Sequence, residues 1–138
     1  MIPDRIIEQG TLSTDGARVA VEVRIPWYRA LPASCIAGAT LAVDGVAAPA
    51  ESLRWQMNGR TFTFAEMVDD TDEWWFPVDS AVLSADLPVV PDVEHRVDVG
   101  LTVYIPYIVI GADEVLHIEE HDSKTMTARR AQGSELAA

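Results

Sequence analysis

The sequence predicts an all-β fold: a single antiparallel β-sandwich with one short helix or turn after its central hairpin. Three observations carry the prediction. Two segments alternate apolar and polar residues at the strand period, an Asn-Gly dipeptide joins two aromatic-containing runs, and Gly, Pro, Asn and Asp recur between short runs along the chain.

From Arg18 to Ile25, Val19, Val21, Val23 and Ile25 fall on one side and Arg18, Ala20, Glu22 and Arg24 on the other, the signature of a half-buried strand. The same period runs from Val93 to Ile105, with Val97, Val99, Leu101, Val103 and Ile105 opposed to Glu94, Arg96, Asp98, Thr102 and Tyr104. Pro26 and Pro106 lack the ladder N–H and are expected to stop these strands. Asn58-Gly59 tolerates the positive φ values of a type I′ turn, so a two-residue hairpin should pair Met57 with Arg60, Trp55 with Phe62 and Leu53 with Phe64. Asp44-Gly45 suggests a second, weaker hairpin. Thr63 and Glu66 have capping-box spacing, which places a short helix or turn over 65–68. Residues 1–127 read as one sandwich domain and 128–138 as a flexible tail.

The chain has 138 residues, 22 acidic against 10 basic, a net charge of -12 and a single lysine, Lys124. It cannot offer the basic stripe that neutralises phosphates, so neither nucleic acid nor an anionic membrane is an expected partner. The longest uncharged stretches, 30–43 and 99–112, are shorter than the roughly 20 apolar residues of a spanning helix. No basic and then apolar leader is readable at Met1-Ile2-Pro3-Asp4-Arg5, and Cys35 is the only cysteine, so the expected location is the cytoplasm. With no base among Ala33, Ser34, Ile36 and Ala37, Cys35 reads as a small buried side chain.

Three constellations carry possible chemistry. His117-Ile118-Glu119-Glu120-His121 matches H-x-x-E-H, in which two imidazoles one helical turn apart would hold zinc beside a general base, Glu120. The pattern lacks a credible third ligand downstream, and the plain alternative is a strand or short helix with solvated side chains. If His117, Glu119 and His121 share one strand face, they could contact a ligand or partner. Asp69-Asp70-Thr71-Asp72-Glu73 lacks EF-hand spacing, yet runs straight into Trp74-Trp75-Phe76. Alternation sends Trp75 to one face and Trp74 and Phe76 to the other, so one side needs cover from this domain or from a partner. Finally, Pro26-Trp27-Tyr28-Arg29 and Ile105-Pro106-Tyr107 lie at strand ends, where binding residues concentrate. Trp27 reads as a core corner; Tyr28, Arg29 and Tyr107 stay open.

In order, Pro26 to Pro32 (Pro-Trp-Tyr-Arg-Ala-Leu-Pro), Asn58-Gly59-Arg60, Asp72-Glu73-Trp74-Trp75-Phe76 and Ile105-Pro106-Tyr107 make a chain that resembles the small β subunit of bacterial C-glycoside deglycosidases, from about Asp4 to Arg130. That resemblance implies a larger α subunit, similar to xylose isomerase and its TIM barrel, which carries a divalent metal, manganese, and the acid-base residues. It implies a non-catalytic β-sandwich beside the substrate entrance, with no cofactor or metal of its own, in a complex that cleaves the carbon-carbon bond of 3-oxo-C-glycosides. Tyr28, Arg29, Asp72, Glu73, Trp74, Trp75, Phe76 and Tyr107 are then the expected contacts with α or its substrate pocket. The acidity between Glu66 and Glu94 predicts a basic rim on the covering subunit. The rival expectation is a self-standing carbohydrate-binding module using Trp74 and Trp75 as a stacking platform.

Overall fold

The computed structural model describes residues 6–131. In chain order its strands are β1 (Ser13–Thr14), β2 (Arg18–Val23), β3 (Leu31–Pro32), β4 (Ile36–Val43), β5 (Val46–Ala47), β6 (Arg54–Met57), β7 (Arg60–Phe62), β8 (Trp74–Trp75), β9 (Ala81–Asp86), β10 (Glu94–Gly111), β11 (Glu114–Thr127) and β12 (Arg129–Arg130), with one helix, α1 (Phe64–Met67). A six-stranded sheet has the order β12-β1-β2-β9-β6-β7, and a four-stranded sheet the order β11-β10-β4-β5. β3 and β8 form a separate two-stranded pair. Val19, Val21 and Val23 of the first sheet and Val97, Val99, Leu101, Val103 and Ile105 of the second belong to one buried cluster, as the alternation required.

The hairpins follow their turn chemistry. Asn58 and Gly59 have φ of 55° and 79°, Asp44 and Gly45 of 52° and 82°, and the pairs Met57–Arg60 and Trp55–Phe62 are formed. The expected Leu53–Phe64 pair is not, because Phe64 already opens α1 and turns its ring edge-on to Trp55 at 5.9 Å. The capping box is complete: the Thr63 N–H donates to Glu66 Oε1 at 2.7 Å and the Glu66 N–H to Thr63 Oγ1 at 3.2 Å.

Pro106 does not end β10, contrary to expectation. β4 pairs with β10 only from Val97 to Val103, so at residue 106 no ladder bond is needed on that edge. The strand bulges instead: β10 advances from Ile105 to Val109 while β11 moves from Leu116 to Val115. The β10–β11 hairpin therefore runs beyond the sandwich as a two-stranded arm. At the other terminus the chain stays in the fold past the expected tail boundary, with Ala128 buried and Ser13 and Thr14 of β1 paired in parallel to Arg129 and Arg130. The remainder of that tail, 132–138, lies outside the described residues.

Two ionic contacts, each with one buried partner, tie the sheets to their loops. Asp122 accepts from the Ile7 N–H and from Lys124 Nζ, each at 2.9 Å, and Lys124 also donates to the Ile7 carbonyl. His95 has Asp44 Oδ2 2.5 Å from Nδ1 and the Val90 carbonyl 2.7 Å from Nε2. Both neighbours are acceptors, so the ring is held as the doubly protonated imidazolium. The Asp44 contact is the main cause that raises the His95 pKa, and the same contact, with the Arg96 N–H, lowers that of Asp44. A raised histidine contributes its stabilisation in full below its unfolded value of 6.5 and loses it as pH climbs through the folded value. A depressed aspartate contributes above 3.8 and loses it on acidification. The stability advantage of the native chain over His95→Gln is thus expected to be greater at pH 5.5 than at pH 8.5, measured by thermal unfolding. A gap that does not change with pH would contradict the assignment.

Candidate functional site: an aromatic end of the sandwich

The ladders bring three segments to one end. β2 finishes where Val23 pairs with Ala81, β3 pairs Leu31 with Trp75, and β4 begins where Ile36 pairs with Val103. Residues 24–33, 74–80 and 104–116 therefore lie together. Of the twelve large apolar side chains exposed among the described residues, eight come from these segments, enough to mark a surface that calls for cover.

The segment before β8 is built, not merely solvated. Asp70 Oδ1 accepts from the Asp72 and Glu73 N–H groups at 2.9 and 3.0 Å, contacts that lower its pKa, Glu73 first. The Glu73 carbonyl accepts from the Ala33 N–H, its carboxylate pairs with Arg60 at 3.2 Å, and Asn58 Nδ2 reaches both Glu73 Oε1 and the Trp74 carbonyl at 3.1 Å. The turn dipeptide thus also fixes the aromatic strand. Alternation then decides each ring. Trp75 is 0% exposed, meets Trp55 edge-on at 4.9 Å and donates through Nε1 to the Asp79 carbonyl. It belongs to the core, and its expected place as a partner contact is corrected on that ground. Trp74 and Phe76 point outward, 40% and 46% exposed, and Asp72 is exposed beside them.

The two proline-aromatic strand ends meet. Trp27 Nε1 donates to the Tyr107 hydroxyl, the Trp27 and Tyr28 rings lie 4.9 Å apart, and the Arg29 guanidinium stands 4.5 Å over the Tyr107 ring. The hydrogen bond to Tyr107 raises the Tyr28 pKa. Burial acts to raise that of Tyr107, but the bonds from Trp27 and Tyr28 and the Arg29 charge outweigh it, and the phenol is lowered. Trp27 is half-buried against the core, close to its expected role.

The His117 to His121 segment is strand, within β11, so His117, Glu119 and His121 share the outer face while Glu120 lies on the other. The helix that H-x-x-E-H requires is absent there, and among the described residues no three His, Cys, Asp or Glu side chains gather as a metal site. On the outer face, Gly38, Thr40, Gly100, Thr102, Glu119 and His121 line a shallow trough of about 290 Å³. A Cβ at Gly100 would meet Thr40 Oγ1 at 2.6 Å and the His121 ring at 2.8 Å, which is why glycine stands there.

These features define a β-sandwich domain built to be covered at one end. The pattern of the C-glycoside deglycosidase beta subunit family matches residues 6–107. The chain is 70% identical over 128 residues to the C-glycoside deglycosidase beta subunit of Microbacterium trichothecenolyticum, spanning 93% of this chain and 98% of that protein. It is 69% identical over 127 residues to that of Arthrobacter globiformis (91% and 96%), and 36% identical over 129 residues to the 3'-dehydrocarminate deglycosidase beta subunit of a Microbacterium species (94% and 97%). The chain belongs to the C-glycoside deglycosidase beta subunit family.

Proposed function

We propose that this chain is the small subunit of a heteromeric C-glycoside deglycosidase and that its aromatic end seats on a larger subunit resembling xylose isomerase. The observation that carries the reading is the pair Trp74 and Phe76, turned outward on a strand that Asn58, Arg60 and Ala33 hold rigid. Exposed aromatics on a pre-ordered scaffold are suited to a stable interface, since little entropy is lost on docking. Tyr28, Arg29, Glu73 and Tyr107 extend the same end, and the acidic surround is complementary to a basic rim.

The reaction explains a two-part enzyme. A carbon-carbon glycosidic bond has no bridging oxygen to protonate, so the two-carboxylate scheme of O-glycosidases is insufficient. In a 3-oxo-C-glycoside the carbonyl acidifies the proton on C2. A base removes that proton, the electron pair forms the C1–C2 double bond, the C1–aryl bond breaks, and the aryl carbon takes up a proton. The base, and the divalent metal expected to be manganese, we assign to the barrel subunit. The small subunit shapes and closes the pocket.

Co-expression with the barrel subunit tests this. The two chains are expected to co-purify with manganese, and the small chain purified alone to bind none. Direct binding of free sugars by the isolated chain, abolished by Trp74→Ala and accompanied by no association with the barrel, would replace the proposal with a self-standing carbohydrate module.

A further inference from the structure

We infer that the trough on the outer face of the four-stranded sheet is a carbohydrate site, which seats a sugar ring over Gly38 and holds its hydroxyls between Thr102 and Glu119. The site stands on β4, β10 and β11, none of which carries Trp74 or Phe76, and it does not depend on the subunit assignment above.

The first observation is a glycine that the fold does not explain. Two glycines floor the trough. At Gly100 the reason is internal, since Thr40 and the His121 ring fill the space its Cβ would take. At Gly38 a Cβ would meet nothing within 4 Å, and φ lies outside the left-handed region. The extra residue of β4 between the Thr102–Gly38 and Val103–Ile36 pairs would ask for glycine only at a positive φ. Glycine inside a strand weakens it, so folding alone would favour a side chain at this position. What remains as a reason for glycine is the close approach of a ligand to the backbone.

The second observation is the frame around it. Pairing sets Thr40, Gly100 and His121 in one row across three strands, and Gly38, Thr102 and Glu119 in the next. The rows lie about 7 Å apart, two residues along each strand, and each spans two strand spacings, about 10 Å. Among the described residues, no hydrogen bond or ion pair engages the side chains of Thr40, Thr102, Glu119 or His121. The volume, about 290 Å³, is at the small end for ligand pockets and suits a single ring.

The balance of donors and acceptors then selects the ligand. Each threonine hydroxyl donates and accepts, the Glu119 carboxylate accepts at two oxygens, and a neutral imidazole offers one donor and one acceptor. Sugar hydroxyls match this set because each of them also donates and accepts, and two vicinal hydroxyls can donate together to one carboxylate. An anion is disfavoured, since Glu119 lines the trough and no lysine or arginine does. An apolar ligand finds no wall to cover, because the Leu101 side chain is buried in the core.

The test titrates the full isotope-labelled chain with D-glucose and follows the amide chemical shifts. Saturable shifts are expected at Gly38, Gly100, Thr102 and Glu119, with a Kd in the millimolar range that a few hydrogen bonds on an open surface give. Gly38→Val, whose Cβ enters open space above the floor, is expected to abolish them while the unfolding midpoint holds or rises. Glu119→Gln should weaken binding about tenfold, the effect of one charged hydrogen bond. Trp74→Ala should leave the affinity unchanged, which separates this site from a module built on Trp74. Fully O-methylated glucose, with no hydroxyl to donate, should shift none of these amides. Glucose that leaves them unmoved, or that binds Gly38→Val as it binds the native chain, overturns the inference. Should Gly38→Val fail to fold, the exposed Glu119→Gln decides, and unchanged affinity there overturns it equally. A trough silent to sugars that responds only to an added protein would make it a protein contact instead.

Discussion

Trp75→Ala is expected to cost about 3–5 kcal/mol of folding stability, the range for removing a fully buried large aromatic. Its ring contacts Trp55 edge-on, and its indole N–H satisfies the Asp79 carbonyl at the end of the turn before β9. Truncation would leave a cavity between the two-stranded β3–β8 pair and the six-stranded sheet, and an unmet carbonyl besides. Against a typical total of about 5–15 kcal/mol, that loss brings the chain close to unfolding at physiological temperature. Chemical denaturation of native and variant chains measures it directly; a loss under about 1 kcal/mol would show that Trp75 is not the core anchor described.

The neighbouring substitution should do the opposite. Trp74→Ala with Phe76→Ala truncates two outward rings that lie outside the buried core, so stability is expected to change by only about 1 kcal/mol. Affinity for the proposed barrel subunit should fall by about 3 kcal/mol, on the order of 100-fold, as for aromatic anchors at the centre of an interface. Calorimetric titration of one subunit into the other reads this, with the unfolding midpoint as control. Unchanged affinity would remove the aromatic end as the docking surface. One residue separates a folding phenotype from a binding phenotype because the side-chain period of a strand is two.

Much of this was legible in the sequence for definite physical reasons. Valines every second residue in β2 and β10 dictated two half-buried strands, and the positive φ demanded at Asn58-Gly59 and Asp44-Gly45 dictated the hairpins. The opposite facings of Trp74 and Trp75 followed from alternation alone. What escaped was decided by tertiary context. Pro106 stops a strand only where a ladder bond is required, and the departure of β4 after Val103 removes that requirement. β11 reads poorly because its outer face carries His117, Glu119, His121 and Ser123 while its inner face includes Glu120, Asp122 and Lys124, which leaves little apolar alternation to show. The stack of Arg29 on Tyr107 joins positions 78 residues apart, and no local pattern announces it. Asn58 reads locally only as a turn residue, yet its amide also grips Glu73 and the Trp74 carbonyl. Trp75 shares the aromatic character of its neighbours, and only its burial sets it apart from them.

The acidic excess also acquires a place. Asp70, Glu73 and Glu66 are spent on N–H groups, Arg60 and the helix cap, so part of the charge in the run from Glu66 to Glu94 is structural. Exposed Asp72 remains available beside Trp74.

The most direct test of the proposed role is reconstitution. Purified chain would be added in increasing amounts to the isolated, proposed barrel subunit, with carbon-carbon cleavage of a 3-oxo-C-glycoside followed alongside co-elution of the two chains. Activity that rises with added chain and saturates, in step with formation of a single mixed complex, is the predicted result. A barrel subunit fully active by itself, with the small chain eluting alone, would contradict it.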